Sequence, residues 1–157
     1  MRTIKIKNEN ETRKFGEELA GTLKAGDIIA LIGDLGTGKT TLTKYIAREL
    51  GIMQAITSPT FNIICEYHEG RLPLYHFDVY RLNSSDEMLE LGYEEYFFGD
   101  GVCIVEWADK IEDLLPENTK RIYITYGDRE HGSQAGPDYT KGADHDAQEE
   151  RTYRCDF

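Results

Sequence analysis

Residues 31–42 read LIGDLGTGKTTL, and within them residues 33–40, GDLGTGKT, fit the spacing GxxxxGK[ST]. The three glycines let the backbone curl so that successive N–H groups point inward at an anion. The flanks decide between an ordinary turn and such a cradle. Before the loop, DIIALIG (residues 27–33) is a continuous apolar run bounded by turn residues, which is how a strand buried on both faces reads. After it, KTTLTKYIAREL (residues 39–50) sets Leu42, Ile46 and Leu50 on one helical face, with Gly51 as the stop. Strand, glycine loop and helix in that order predict a phosphate-binding loop. The helix N-terminus adds partial positive charge, Lys39 can span the β- and γ-phosphates of a nucleotide, and Thr40 offers a hydroxyl to Mg²⁺.

The pattern continues outward on both sides. TIKIK (residues 3–7) alternates as an edge strand does, and Phe15, Leu19 and Leu23 mark an amphipathic helix ending at or before Gly26. FNIICEYHEGRLPLYHFDVYRL predicts a hairpin turning at Gly70. SSDEMLELGYEEYF predicts a short helix opened by Ser and Asp. GVCIVEW (residues 101–107) is a second buried strand, ADKIEDLLPEN a short helix stopped by Pro116, and KRIYITYG a last alternating strand. The predicted fold is α/β and P-loop NTPase-like: a central, mostly parallel sheet with an added antiparallel hairpin, flanked by helices. Residues 1–127 form this domain. Residues 128–157 are polar, rich in Gly, Asp and Glu, and without sustained period, so they are expected to be a flexible or loosely packed tail.

Composition narrows the function classes. The 157 residues suffice for one core. The formal net charge of −11 repels a phosphate backbone, so any contact with nucleic acid is expected to run through a partner carrying a basic patch. No stretch is apolar enough to span a membrane, and residues 1–12 lack the apolar core of a signal peptide. The three cysteines, Cys65, Cys103 and Cys155, are odd in number and far apart, which fits neither a disulfide framework nor a CxxC metal site. A cytoplasmic, soluble protein is expected.

A phosphate-binding loop that does chemistry also needs carboxylates near the metal. Glu106 closes the run VCIV and Asp78 closes PLYHF, so each is delivered at the C-terminal end of a strand, where open α/β sheets bind ligands. One can hold Mg²⁺ while the other orients or deprotonates water, and the sequence assigns the two roles in either order. TSPTF (residues 57–61) lies where a switch-like loop could close on the γ-phosphate, with Thr60 as its contact because Pro59 stiffens the backbone before it. Trp107 stands beside Glu106 at the edge of the site. His76 shares a strand face with Asp78 and reads as a structural histidine.

The set GDLGTGKTT, SPTF, YHFDVYRL and VEWADK, in that order and in so short a chain, resembles the bacterial TsaE (YjeE/YdiB) family, from about residue 10 to about residue 126. The resemblance implies an ATP- and Mg²⁺-binding domain whose weak hydrolysis serves a complex with two partner subunits, TsaB and TsaD. In that complex TsaD transfers threonylcarbamoyl to adenosine 37 of tRNAs that read ANN codons. Carried onto this chain, it implies that Gly36, Thr37, Gly38, Lys39, Thr40 and Thr41, after Gly33, hold phosphates. It implies that Thr40 and Glu106 bind Mg²⁺, that Asp78 acts at the metal or the attacking water, and that Thr60 belongs to a switch-like loop. Trp107 would lie near the nucleotide or the partner, Thr12 would contact the base, and Arg129 would match an arginine-containing segment. The residues after Arg129 depart from the family pattern in being too polar for a last strand.

Two other classes share the loop. A small-molecule or nucleotide kinase often carries an arginine-rich lid, whereas Arg48, Arg71, Arg81 and Arg121 are scattered here. No NKxD segment is present to read guanine, which favours ATP. A nucleotide-sensing module that does not hydrolyse would use the same binding residues, and only turnover separates it from an ATPase.

Overall fold

Strand β2 (Ile28–Gly33) is buried at every residue, and the sheet is built around it. The computed structural model describes residues 1–59, 62–127 and 150–157. On one side of β2 lies β5 (Val102–Glu106) and on the other β6 (Lys120–Tyr126), both parallel to it. Next to β5 comes β4 (Leu74–Asp78), again parallel, and β3 (Ile64–Tyr67) pairs antiparallel with β4 to form the expected hairpin at that edge. Beyond β6 lie β7 (Arg151–Cys155) and then β1 (Arg2–Ile6), both joined antiparallel. The described residues thus form a seven-stranded sheet in the order β1-β7-β6-β2-β5-β4-β3.

Helices cover both faces. α1 (Glu9–Gly21) is capped by Asn8, whose side chain accepts from the Glu11 N–H at 3.0 Å, and Glu9 and Glu11 complement the helix dipole in its first turn. Its buried Phe15 and Leu19 join Leu42, Ile46 and Leu50 of the α2 segment (α2, Lys39–Glu49) over Ile29, Leu31, Ile104 and Ile124 of the sheet. On the opposite face, Met88 of α3 (Asp86–Glu90), Phe97 of α4 (Tyr93–Phe97) and Ile111 of a 3₁₀ helix (Ala108–Leu114) cover Ala30, Phe77 and Val105. One local expectation is corrected. The helix expected across residues 84–97 is two short helices broken at Gly92, whose φ of 68° is left-handed. The short helix expected after Trp107 is present as a 3₁₀ helix that ends before Pro116.

A larger correction concerns the end of the chain. Sequence pattern assigns residues 128–157 to a loose tail, yet residues 151–155 are an internal strand of the sheet. Tyr153 is fully buried, its ring 5.0 Å edge-to-face from Phe15, and Cys155 is fully buried as well. The alternation of Tyr153 and Cys155 is only two residues deep and is interleaved with Arg151 and Arg154. Those arginines keep polar partners, Arg154 donating to Thr125 Oγ1 at 3.1 Å. Residues 128–149 lie outside the described residues.

β7 carries consequences for stability. Tyr153→Ala should cost about 3–5 kcal/mol in urea unfolding, the usual penalty for emptying a large aromatic site. A chain ending at Gly127 bares the edges of β1 and β6 together and should lose cooperative unfolding by circular dichroism; a sharp native transition in that shortened chain would show β7 to be dispensable.

Candidate active site

The glycine loop leaves β2 at Gly33 and enters α2 at Lys39. Its path needs left-handed backbone at Gly36 (φ 82°) and Gly38 (φ 94°), which side-chain-bearing residues rarely adopt. Gly38 is the N-cap of α2 and leaves the first turn without a side-chain cap, so its donors remain for another acceptor. The Thr37 hydroxyl donates to the Asp34 carbonyl at 2.8 Å and fixes the turn between them. Lys39 is only 5 % exposed; its ammonium donates to the carbonyls of Gly33 (2.6 Å) and Asp34 (2.9 Å) and lies 4.0 Å from the centroid of the Trp107 ring. Burial pulls this ammonium down to about 8, against the upward pull of Glu106, Asp78 and Asp34.

Parallel register brings the acids to the loop. Asp78 and Glu106 end adjacent strands and are directly paired in the β4–β5 register. Glu106, 2 % exposed, accepts from the Thr40 hydroxyl, with Oε1 at 2.9 Å and Oε2 at 3.2 Å. The Thr40 hydroxyl also lies 2.9 Å from Ser58 Oγ. Glu106 Oε2 makes a second close contact, with Nε2 of the fully buried His76. Asp78 is half-buried and accepts from the Tyr80 N–H at 3.1 Å. Burial pushes its carboxyl above the usual range and the charge of Glu106 adds to that, while the Tyr80 N–H acts in the opposite direction.

Trp107 follows Glu106 with φ 63°, a left-handed conformation that a bulky residue adopts only under constraint. That turn lays its ring between the Lys39 ammonium and the Tyr80 ring, 4.8 Å away. Together these groups surround a cleft of about 320 Å³, bordered by the loop, Thr40, Asp78, Glu106, Trp107 and Arg151. Its lining thus combines two cations, Lys39 and Arg151, with two carboxylates and the hydroxyls of Thr40, Thr41 and Ser58. Among the described residues no three of His, Cys, Asp and Glu group tightly enough to hold a metal ion. Two carboxylates and a hydroxyl are instead oxygen donors of the kind a hard divalent cation accepts when water and phosphate oxygens supply the rest.

The structure therefore brings together Gly33, Gly36, Thr37, Gly38, Lys39, Thr40, Asp78, Glu106 and Trp107. Thr41 borders the cleft as well. Thr12 stands slightly apart, lining with Thr37, Gly38, Thr41, Arg151 and Tyr153 a small recess beside the loop. Thr60 and Arg129 lie outside the described residues. Two residues at the site, Ser58 and Arg151, escaped sequence reasoning, as did the contact made by His76. Ser58 belongs to the loop in which Thr60 was the expected contact. His76 touches Glu106 through strand pairing that no local pattern reveals. Arg151 reaches across from β7, its Nη2 3.4 Å from the Gly36 carbonyl and its guanidinium 5.4 Å from the Tyr126 ring. The Tyr153–Cys155 alternation was the available signal for the strand that carries it.

Known proteins resemble this chain in sequence and fold. A family model described as "Threonylcarbamoyl adenosine biosynthesis protein TsaE" matches residues 6–134. A Bacillus subtilis protein named tRNA threonylcarbamoyladenosine biosynthesis protein TsaE is 52 % identical over 117 residues, covering 74 % of this chain and 73 % of its own. A Treponema pallidum protein of the same name is 41 % identical over 118 residues, covering 75 % and 87 %. The crystal structure of YdiB from Bacillus subtilis superposes with a TM-score of 0.72 at 40 % identity, covering 97 % of this chain and 82 % of that one. On the family match and these identities, the chain belongs to the TsaE family, named for threonylcarbamoyl adenosine biosynthesis.

Proposed function

We propose that the chain binds ATP with Mg²⁺ in the cleft and hydrolyses it in the service of tRNA threonylcarbamoyladenosine biosynthesis, within a complex containing the TsaB and TsaD subunits. The observation that carries the reading is the convergence of Lys39, Thr40, Asp78 and Glu106 on one cleft beside the glycine loop. Mg²⁺, when bound, neutralises charge on the β- and γ-phosphates. Thr40 and Glu106 would hold it: the Thr40 hydroxyl gives its hydrogen to Glu106, which leaves the oxygen lone pairs for a cation.

The remaining groups act on the nucleotide and on water. Phosphate oxygens would take over the Lys39 ammonium from the Gly33 and Asp34 carbonyls, replacing neutral acceptors with charged ones. Asp78 does not bond Thr40, and burial makes it more basic than an ordinary carboxylate. It suits the part of orienting the attacking water, whose oxygen bonds to the γ-phosphorus as the bond to the β–γ bridging oxygen breaks and ADP leaves. Arg151 stands over the loop as a further cation for the phosphates. The net charge of −11 favours partners with basic surfaces and makes any tRNA contact indirect. Among the described residues no helix is long and apolar enough to cross a membrane, and a cytoplasmic location fits the proposed work on tRNA.

Lys39→Ala should weaken ATP binding about a hundredfold, the scale of losing charge-assisted bonds to phosphate, by calorimetry; unchanged affinity would overturn the phosphate-cradle reading. Glu106→Gln and Asp78→Asn should each keep ATP affinity within about threefold while lowering turnover about a hundredfold or more. Both are measured as phosphate release by the purified chain with TsaB and TsaD. Wild-type ATP binding with no turnover, alone or with the partners, would make the chain a nucleotide sensor instead.

A further inference from the structure

We propose that His76 is a positioning residue that locks the Glu106 carboxylate in the orientation that receives the Thr40 hydroxyl. The inference rests on the reading of Thr40 and Glu106 as the Mg²⁺ end of the cleft, and it adds a residue to that machinery which never meets the nucleotide.

His76 lies in the middle of β4, paired with Cys65 of β3 on one side and Ile104 of β5 on the other, and is fully buried. A buried imidazole is costly unless its polar atoms are bonded. Only Nε2 has a partner, Glu106 Oε2; Nδ1 is buried without one among the described residues. An ionised carboxylate accepts and does not donate, so the contact forms when the ring carries its proton on Nε2. Nδ1 then carries a lone pair rather than an N–H, and no donor meets it among the described residues. The tautomer follows from the surroundings, and the ring becomes a fixed donor aimed at one oxygen of Glu106.

The carboxylate needs that second point. The terminal torsion of a glutamate is broad, so one hydrogen bond does not set the plane of its oxygens. Thr40 bridges both oxygens from one side, at 2.9 and 3.2 Å, and His76 holds Oε2 from the other. With both donors in place the plane is set. Without His76, Glu106 can turn, and the Thr40 hydroxyl can redirect its hydrogen to Ser58, 2.9 Å away. The hydroxyl oxygen would then no longer present its lone pairs in one direction. Donors behind a metal-binding carboxylate typically change metal affinity by about 10–100-fold when lost. β4 thus contributes twice to the cleft, through Asp78 directly and through His76 from behind.

The test compares two amides of different reach. The side-chain amide of His76→Gln extends to about where Nε2 sits; that of His76→Asn falls short. Mg²⁺ is titrated by calorimetry into wild type and both variants, each saturated with a non-hydrolysable ATP analogue, and analogue affinity is also measured in EDTA. The Mg²⁺ midpoint should rise at least about tenfold in His76→Asn and stay within about threefold of wild type in His76→Gln. Affinity in EDTA should be the same in all three. In partner-stimulated hydrolysis His76→Asn should lower kcat with little change in KM for ATP. A folded His76→Asn chain with a wild-type Mg²⁺ midpoint, or a Gln variant as impaired as the Asn variant, overturns the inference. If thermal melting shows His76→Asn unfolded, His76→Met fills the space without a donor and takes its place. A wild-type chain indifferent to Mg²⁺ overturns the metal-site reading and this inference together; a Mg²⁺-dependent wild type with unchanged variants overturns the inference alone.

Discussion

A single hydrogen bond, from the Thr40 hydroxyl to Glu106 at 2.9 Å, ties the first turn of α2 to the end of β5. The residues it joins are 66 apart in the chain, and they meet because β2 and β5 run parallel with Leu31 opposite Glu106. The glycine loop has to climb from the end of β2 and start α2 directly above that pair. Gly36 and Gly38 permit the climb, and the packing of Leu42 and Ile46 over Leu31 and Ile104 holds the helix there. Were the sheet slipped by one residue at β5, Glu106 would point to the opposite face, toward the 3₁₀ helix, and the loop would face a hydrophobic side chain. The whole core therefore acts on the site through one register.

Much of this was legible in the residues because the site interrupts strong patterns. A carboxylate that ends an apolar run is conspicuous, and Glu106 and Asp78 both do so. The loop announces itself by glycine spacing between a buried strand and an amphipathic helix. β2, α1, α2 and the hairpin follow from periodicity that burial enforces over many residues. What was not legible depends on pairing between distant segments. His76 looks like any buried histidine until β4 lies beside β5. Arg151 looks like part of a polar tail until Tyr153 is seen packed on Phe15. A short strand shielded by its neighbours needs few apolar residues, since the sheet on both sides supplies the burial. The break at Gly92 was missed for the opposite reason: a helical pattern on either side of a glycine masks the turn between.

The acidic character of the chain and the two cations of its cleft, Lys39 and Arg151, are two parts of one arrangement. Lys39 keeps its charge within a strongly negative molecule because Glu106, Asp78 and Asp34 counter the cost of its burial. Those same acids repel a polyphosphate. Neutralising cations are needed before a polyphosphate can sit close to them. Arg151, on the strand that also completes the core, brings one such cation to the loop, so a change in β7 would be felt both in stability and at the cleft.

Trp107 is the sole tryptophan of the chain, and its ring lies 4.0 Å from the Lys39 ammonium. Indole emission responds to a charge held against the ring, so the intrinsic fluorescence of this protein is in effect a gauge of where one lysine is. Whatever draws Lys39 away would change the emission of that one indole. The twisted backbone at Trp107 has thus built an optical probe into the phosphate loop, with no label to attach and no second indole to blur the signal.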